Sequence, residues 1–352
     1  MSITAKLAQL AEFDEVIDVR TPSEFAEDHV PESVNRPVLT DEERARVGTL
    51  YKQVSAFTGR KAGAALVSRN IAGHVETSFM DKAKSWRPLV YCWRGGKRSE
   101  AMVHILREIG WGAQRLEGGY KAYRRAVVAE LPQLARRYSL RVVCGLTGSG
   151  KSRLLQALSS LGAQVLDLEG LAAHRGSVLG NLPDERQPAQ RMFESRIWWR
   201  LRSFETGAPV FVESESKRIG TLQVPDELMA AMWESECVRV EIDIAARVRL
   251  LMEQYPHFVA DPAELGRQLD RLVQLHGRTA IERWKALAQS GDWHTLVREL
   301  LERHYDPAYT RSIATHYPRL AQARSVEISA NDDTSFEAAA RGLIGTAAQA
   351  AV

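Results

Sequence analysis

The spacing of hydrophobic and polar positions changes several times along the 352-residue chain. Two short apolar runs come first, DEVIDVR and RPLVYC, and their length and β-branched content predict buried strands, the second ending at Cys92. From Arg98 the period lengthens. Met102, Ile105, Leu106 and Ile109 recur at i, i+3, i+4 and i+7, one face of a helix, and Gly110 stands where its C-cap is expected. GAQRLEGG predicts a return to the sheet and GYKAYRRAVVAEL a helix leaving it. Strand, helix, strand in this order predicts a parallel sheet with helices on its faces. Residues of about 40–86 interrupt the pattern; the segment is too long and too apolar for a plain loop, so a mostly helical, functional insert is expected.

The alternation restarts after LPQLARRYSL. RVVCG predicts a strand, Leu154, Leu155, Leu158 and Leu161 a helix, and AQVLDL a further strand. PVFVES, CVRVEID and SVEISA predict three more, and residues of about 261–309 are helical in pattern, with a short link at SGDW. The expected architecture is α/β throughout. A parallel-sheet domain covers 1–128 with its helical insert at about 40–86, a linker covers 129–140, and a second α/β domain covers 141–352 with its helical portion at about 261–309.

Composition narrows the class of protein. No apolar run reaches the roughly 18 residues of a membrane span, and the opening MSITAKLAQLAEFDE lacks the basic start and apolar core of a signal peptide. A cytoplasmic protein with no membrane partner is expected. Cys92, Cys144 and Cys237 are far apart and form no C-x-x-C pair, which argues against a disulfide framework and against a zinc site. Net charge is +3, with 22 Lys and Arg against 17 Asp and Glu in residues 1–140 and 25 against 27 in the rest. A nucleic-acid partner would have to be attracted by a local patch.

Two loops carry the candidate chemistry. In the first, Cys92 is followed by Arg94, Gly95, Gly96, Lys97, Arg98 and Ser99. The thiolate is the reactive form, and a free cysteine ionises near pH 8.5. Lowering such a value by ~2 units takes about 2.7 kcal/mol, more than the ~0.3–1 kcal/mol that a helix N-terminus usually supplies. Amides freed by Gly95 and Gly96, with the three cations, are the source of the remainder. The bland alternative is a buried structural cysteine beside a simple Gly-Gly turn. The second loop, GLTGSGKS, fits G-x-x-x-x-G-K-[ST] between a predicted strand and helix. There the amides of Gly145, Thr147, Gly148, Ser149 and Gly150 cradle a di- or triphosphate, Lys151 reaches a phosphate oxygen, and Ser152 can ligate a metal. Asp167, Glu169 and Glu213, at the ends of two later strands, are candidate acid/base groups or Mg²⁺ ligands; helix caps or ion pairs are the equal alternative. Nothing in the loop itself selects ATP over another diphosphate.

VIDVRTPSEFAEDHVPESVNRP and RLEGGYKAYR resemble the opening and closing motifs of rhodanese domains, in which Cys92 would be the cysteine that carries sulfur or selenium. Five residues separate Cys92 from Arg98, where common sulfurtransferase rhodaneses have four. The wider loop resembles that of rhodanese-fold phosphatases and arsenate reductases and suits a phosphate-sized anion. Asp18 then pairs with Arg20 or orients the loop, and His29 is expected to buttress the fold more than to catalyse. A rhodanese-like domain followed by a P-loop NTPase-like domain, with VGTLYKQVSAFTGRKAGAAL, LDLEGLAAHRGSVLG, FVESESKRIG and HYDPAYTRS in this order, resembles the bacterial tRNA 2-selenouridine synthases over nearly the whole chain.

That resemblance implies a transferase acting on wobble 2-thiouridine. It would geranylate the sulfur from geranyl diphosphate and then replace the geranylthio group with selenium from selenophosphate. The phosphate loop would hold the diphosphate, while the Cys92 loop would receive selenophosphate and carry selenium as a persulfide-like species. Expected partners are the anticodon region of tRNA and a selenophosphate-producing enzyme; no cofactor is firmly implied, and Mg²⁺ is a candidate ion. Arg196 and Arg200, with Trp198 and Trp199 between them, are candidate RNA contacts. So are Arg136 and Arg137, although core packing of the tryptophans is the favoured alternative. Two rival functions stand beside this one: a phosphatase- or arsenate-reductase-like enzyme fused to a kinase, and a non-enzymatic docking module for a nucleotide switch.

Overall fold

The computed structural model describes residues 3–177 and 179–349. They divide into two compact units, one running to Leu131 and including Pro188–Trp199, the other comprising Pro132–Gln187 and the chain from Arg200.

The first unit contains β1 (Thr4–Ala5), β2 (Glu15–Asp18), α1 (Pro22–Glu27), β3 (Val34–Asn35), α2 (Asp41–Thr49), α3 (Ala56–His74), β4 (Pro88–Tyr91), α4 (Lys97–Ile109), β5 (Gln114–Leu116) and α5, which begins at Gly119 and ends at Ala135. Its five strands are all parallel, in the order β1-β5-β4-β2-β3. β4 is central and buried at all four positions, the pattern of a strand covered on both faces. The insert is helical, as its composition predicts, and α3 returns Ile71 to the core. On α4 the buried face is Met102, Val103 and Leu106, whereas Ile105 and Ile109 are exposed, so the predicted stripe is rotated. Gly110 ends α4 in the left-handed conformation, as expected.

The second unit opens with β6 (Leu140–Cys144), α6 (Lys151–Ser160), β7 (Gln164–Leu166), α7 (Leu168–Ala172) and, after α8 (Gln190–Arg202), β8 (Val210–Glu213). A hairpin of β9 (Arg218–Ile219) and β10 (Leu222–Gln223), which no sequence pattern announces, precedes α9 (Asp226–Glu234) and β11 (Glu236–Glu241). Then come α10 (Ile244–Gln254), α11 (Pro256–Ala260), α12 (Pro262–Asp270), α13 (Val273–Ser290), α14 (Trp293–Leu300) and α15 (Asp306–His316). The chain closes with β12 (Arg324–Glu327) and α16 (Asp333–Gln349). The main sheet is parallel, ordered β12-β11-β6-β8-β7. Val143, Leu154, Phe211, Val240 and Phe336 share its core, while Phe258, Leu269, Trp284, Leu296 and Leu300 form a separate core among the helices. The carboxyl ends of β6, β7 and β8 lie side by side, which is where parallel sheets place their ligands.

Two anion cradles as candidate active sites

Cys92 follows the last residue of β4 and is buried. Its Sγ accepts from the amide of Gly96 at 3.2 Å and lies 3.2 Å from Ser99 Oγ, which also donates to Gly96 O at 3.1 Å. Gly96 is the N-cap of α4, so the sulfur faces the amide end of that helix. The loop is clamped from outside. Tyr120 N donates to Cys92 O at 2.9 Å and Lys121 N to Trp93 O at 3.0 Å. This close approach requires Gly119, whose φ is +57° and where a Cβ would stand 2.2 Å from Cys92 O and 2.5 Å from Gly95 N. Gly119→Ala is therefore expected to lose at least about 2 kcal/mol through left-handed strain and overpacking. A urea midpoint equal to that of the wild type would show that the clamp does not matter.

The cations are disposed differently from the sequence-based expectation. Arg94 and Lys97 are exposed, and Lys97 meets Glu100 at 3.2 Å. Arg98 is engaged by a carboxylate: its guanidinium donates to Glu24 of α1 at 2.7 Å. Thr21 caps α1 with Glu24 in a reciprocal capping box, which fixes the carboxylate for this contact. Burial is the largest single influence on Glu24 and acts to raise it, but the hydrogen bond and charge of Arg98, with the Thr21 amide and the Arg20 charge, together outweigh burial and hold the group below the usual carboxylate range. Asp18 pairs with Arg20 in a buried bidentate contact at 2.6–3.0 Å, the first of its two expected roles. Arg20 also lies 3.9 Å over the Tyr120 ring, and Tyr120 donates to Asp28 at 2.8 Å, which braces the Gly119 turn. His29 stacks on Phe25 with centroids 3.7 Å apart, and burial lowers its pKa, so it buttresses the fold as a neutral ring.

In the second unit the loop from Gly145 to Gly150 joins β6 to α6. Lys151 Nζ donates to Gly145 O at 2.8 Å, and its ammonium lies 5.5 Å from the centre of the Tyr309 ring. Tyr309 OH accepts from Gly145 N at 2.8 Å and lies 3.1 Å from Ser214 Oγ. Arg247, on α10, donates to Thr147 O at 2.8 Å and 2.9 Å and pairs with Asp306, so the loop is bolted to the helices. Gly148 and the residues after it border a cleft of about 780 Å³ that also receives Asp167, Glu169, Glu215 and Tyr309.

The carboxylates around that cleft divide into distinct roles. Asp167 accepts from Gly170 N at 2.8 Å as the cap of α7. Glu169 accepts from Ser152 Oγ at 3.1 Å, and its amide donates to Glu213 at 2.7 Å. Burial, and then the carboxylates of Asp167, Glu169 and Glu215, push Glu213 well above the ordinary range. Burial and the neighbouring Glu169 do the same to Glu215. Among the described residues no three His, Cys, Asp or Glu side chains are grouped to hold a metal ion. In the structure Asp167 serves as a helix cap, and burial favours the protonated form of the Glu213 carboxyl.

Because folding raises the Glu213 pKa, the folded state holds a proton that the unfolded chain releases near pH 4.5. This contribution is fully present below that pH and is lost as pH rises toward the folded value, by at most about 1.4 kcal/mol per pH unit. Glu213→Gln keeps the acceptor for Glu169 N and should flatten the decline of Tm above pH 5. A parallel decline in both proteins would rule the carboxyl out as its source.

Glu215, Tyr309 and Arg247 escaped the sequence-based selection. The first two do sit in FVESESKRIG and HYDPAYTRS, but nothing local marks their roles. The RNA candidates are partly withdrawn: Trp198 is fully buried and packs edge-on to Tyr123 at 5.6 Å, and Arg200 donates to Val165 O.

Comparison with known proteins places both cradles in one family. Residues 4–126 match the model of the rhodanese-like domain, and residues 138–268 match that of the tRNA 2-selenouridine synthase AAA domain. A tRNA 2-selenouridine synthase of Aeromonas salmonicida is 32% identical over 91% of this chain and 93% of its own length. One from Pseudomonas fluorescens is 34% identical over 84% and 87%. One from Nitrosomonas europaea is 37% identical over 68% of this chain, and the match spans 63% of that relative. Among the described residues no helix is long and apolar enough to cross a membrane. The chain belongs to the tRNA 2-selenouridine synthase family.

Proposed function

We propose that the protein converts wobble 2-thiouridine of tRNA to 2-selenouridine in two transfers. The supporting observation is the presence, in one chain of this family, of a phosphate loop and of a cysteine whose sulfur meets an amide and a hydroxyl. In the first transfer the uridine sulfur forms a bond to geranyl C1, the C1–O bond breaks, and diphosphate leaves from the loop at Lys151. Alkylation turns a thiocarbonyl sulfur into a leaving group. In the second, a selenium nucleophile adds at C2 and geranylthiol departs, leaving C=Se.

Electron balance decides what Cys92 attacks. Attack on selenium would form a persulfide-like Cys–Se bond only by expelling phosphorus as phosphite, and the selenium would then need reduction. Attack on phosphorus needs no other reagent: an S–P bond forms, P–Se breaks, and selenide leaves with the electron pair. Water then hydrolyses the cysteinyl phosphate and restores the thiol. The wide loop and the Ser99 hydroxyl, which can stabilise the departing thiolate, support this route over the selenium-carrying cysteine of the family resemblance.

Purified protein should make S-geranyl-2-thiouridine from 2-thiouridine tRNA and geranyl diphosphate, and 2-selenouridine once selenophosphate is added, as read by mass spectrometry of digested nucleosides. Folded protein that yields neither nucleoside, yet hydrolyses ATP and phosphoesters without tRNA, would favour the phosphatase–kinase alternative.

A further inference from the structure

Beside the phosphate loop lies a smaller cavity of about 70 Å³, walled by Phe258, Leu265, Leu296, Val297 and Leu300 from the helical part of the second unit. Thr147, Ser177, Leu251, Tyr255 and Tyr305 border both this cavity and the 780 Å³ cleft, so the two adjoin. Ser177, Tyr255 and Tyr305 supply the polar groups at this boundary. The interior is left to carbon. The anion cradle touches the same wall: Gly148, at φ +75°, leaves room for Leu251, which a Cβ would meet at 2.9 Å. Arg247, bonded to Thr147 O and paired with Asp306, fixes the loop against the helix that carries Leu251 and Met252.

We propose that this pocket receives the end of the distal isoprene unit of an allylic diphosphate whose headgroup occupies the phosphate loop; the inference rests on the geranyl-transfer function above. An anion cradle fused to an apolar pocket matches an amphiphile, charged at one end and hydrocarbon at the other. A purine fits worse. Its ring nitrogens would be buried against leucine, valine and phenylalanine side chains, at about 1–3 kcal/mol for each group left without a partner. Size limits what enters: the pocket is less than half of the ~150 Å³ cavity that accepts benzene, so it takes only the terminal dimethyl end of the distal unit while the rest of the chain lies in the adjoining cleft. Met252, with its flexible thioether, lets the wall adjust.

Calorimetric titration of the full chain with inorganic diphosphate, dimethylallyl diphosphate, geranyl diphosphate, farnesyl diphosphate and ATP tests this. Geranyl diphosphate should bind at least about tenfold more tightly than dimethylallyl diphosphate, equivalent to about 1.4 kcal/mol, and farnesyl diphosphate no more tightly than geranyl. Val297→Trp, which fills a partly buried wall position, should erase the geranyl preference while inorganic diphosphate binds as before. Leu300→Ala, which enlarges the pocket, should shift preference toward farnesyl diphosphate. A geranyl preference that survives in Val297→Trp, with no shift in Leu300→Ala, overturns the pocket and leaves the geranyl-transfer function standing. Weakened ATP binding in Val297→Trp with unchanged geranyl binding makes it a base pocket and likewise overturns the inference. Wild-type protein that makes no geranylated tRNA and binds geranyl and inorganic diphosphate equally overturns the function itself.

Discussion

Lys151→Ala is expected to reduce geranylation of 2-thiouridine tRNA by on the order of 10²–10³-fold, the usual cost of removing one charge-stabilising donor from a preorganised site. When the C1–O bond of an allylic diphosphate breaks, negative charge accumulates on the departing oxygens. The loop amides and the Lys151 ammonium at the phosphate loop would receive that charge. Lys151 opens α6 directly after the loop, 2.8 Å from Gly145 O and beside the Tyr309 ring, so little reorganisation separates it from a bound phosphate. Lys151→Arg keeps the charge but presents a planar fork in place of a compact point donor, and should recover only part of the rate. Selenium incorporation into tRNA that is already geranylated should survive either substitution. Unimpaired geranylation by Lys151→Ala would remove the loop from the alkylation step.

Cys92→Ser should leave geranylation intact and abolish selenium incorporation, so that S-geranyl-2-thiouridine accumulates in the tRNA. The substitution keeps the loop's shape and charge, with the Gly96 amide and the Ser99 hydroxyl still converging on the side-chain position, but replaces the sulfur nucleophile with a far weaker hydroxyl. What the wild-type sulfur attacks can be read directly. Selenophosphate labelled at phosphorus should leave acid-quenched label on Cys92, and Ser99→Ala should increase that label by slowing its hydrolysis. Label-free protein during turnover would return the attack to selenium. Production of 2-selenouridine by Cys92→Ser at the wild-type rate would remove Cys92 from the chemistry altogether.

Both loops are legible in the sequence because each is a local device. A buried strand, a glycine-containing turn and a helix start are specified by neighbouring residues, since backbone preference and hydrophobic period act over a few positions. CWRGGKRS and GLTGSGKS each place amides at a helix N-terminus by covalent proximity alone. The left-handed cap at Gly110 and the succession of strands and helices follow from the same short-range signals.

The partner of each charged side chain was not legible. Arg98 lies 74 residues from Glu24, and only the docking of α1 near the Cys92 loop turns a cation meant for a ligand into half of an ion pair. Glu213 is an ordinary strand-end glutamate in sequence; burial beside three other carboxylates makes it hold its proton. Residues Pro188–Trp199 belong with the first unit although the second has already begun, and the apolar pocket draws on residues from Thr147 to Tyr305. Sequence alone determined the two glycine-containing strand-to-helix loops and the parallel α/β frame that presents them. Tertiary structure decided which polar groups stay free, which are neutralised, and where an apolar wall meets the phosphate loop, because burial and pairing depend on segments far apart in the chain.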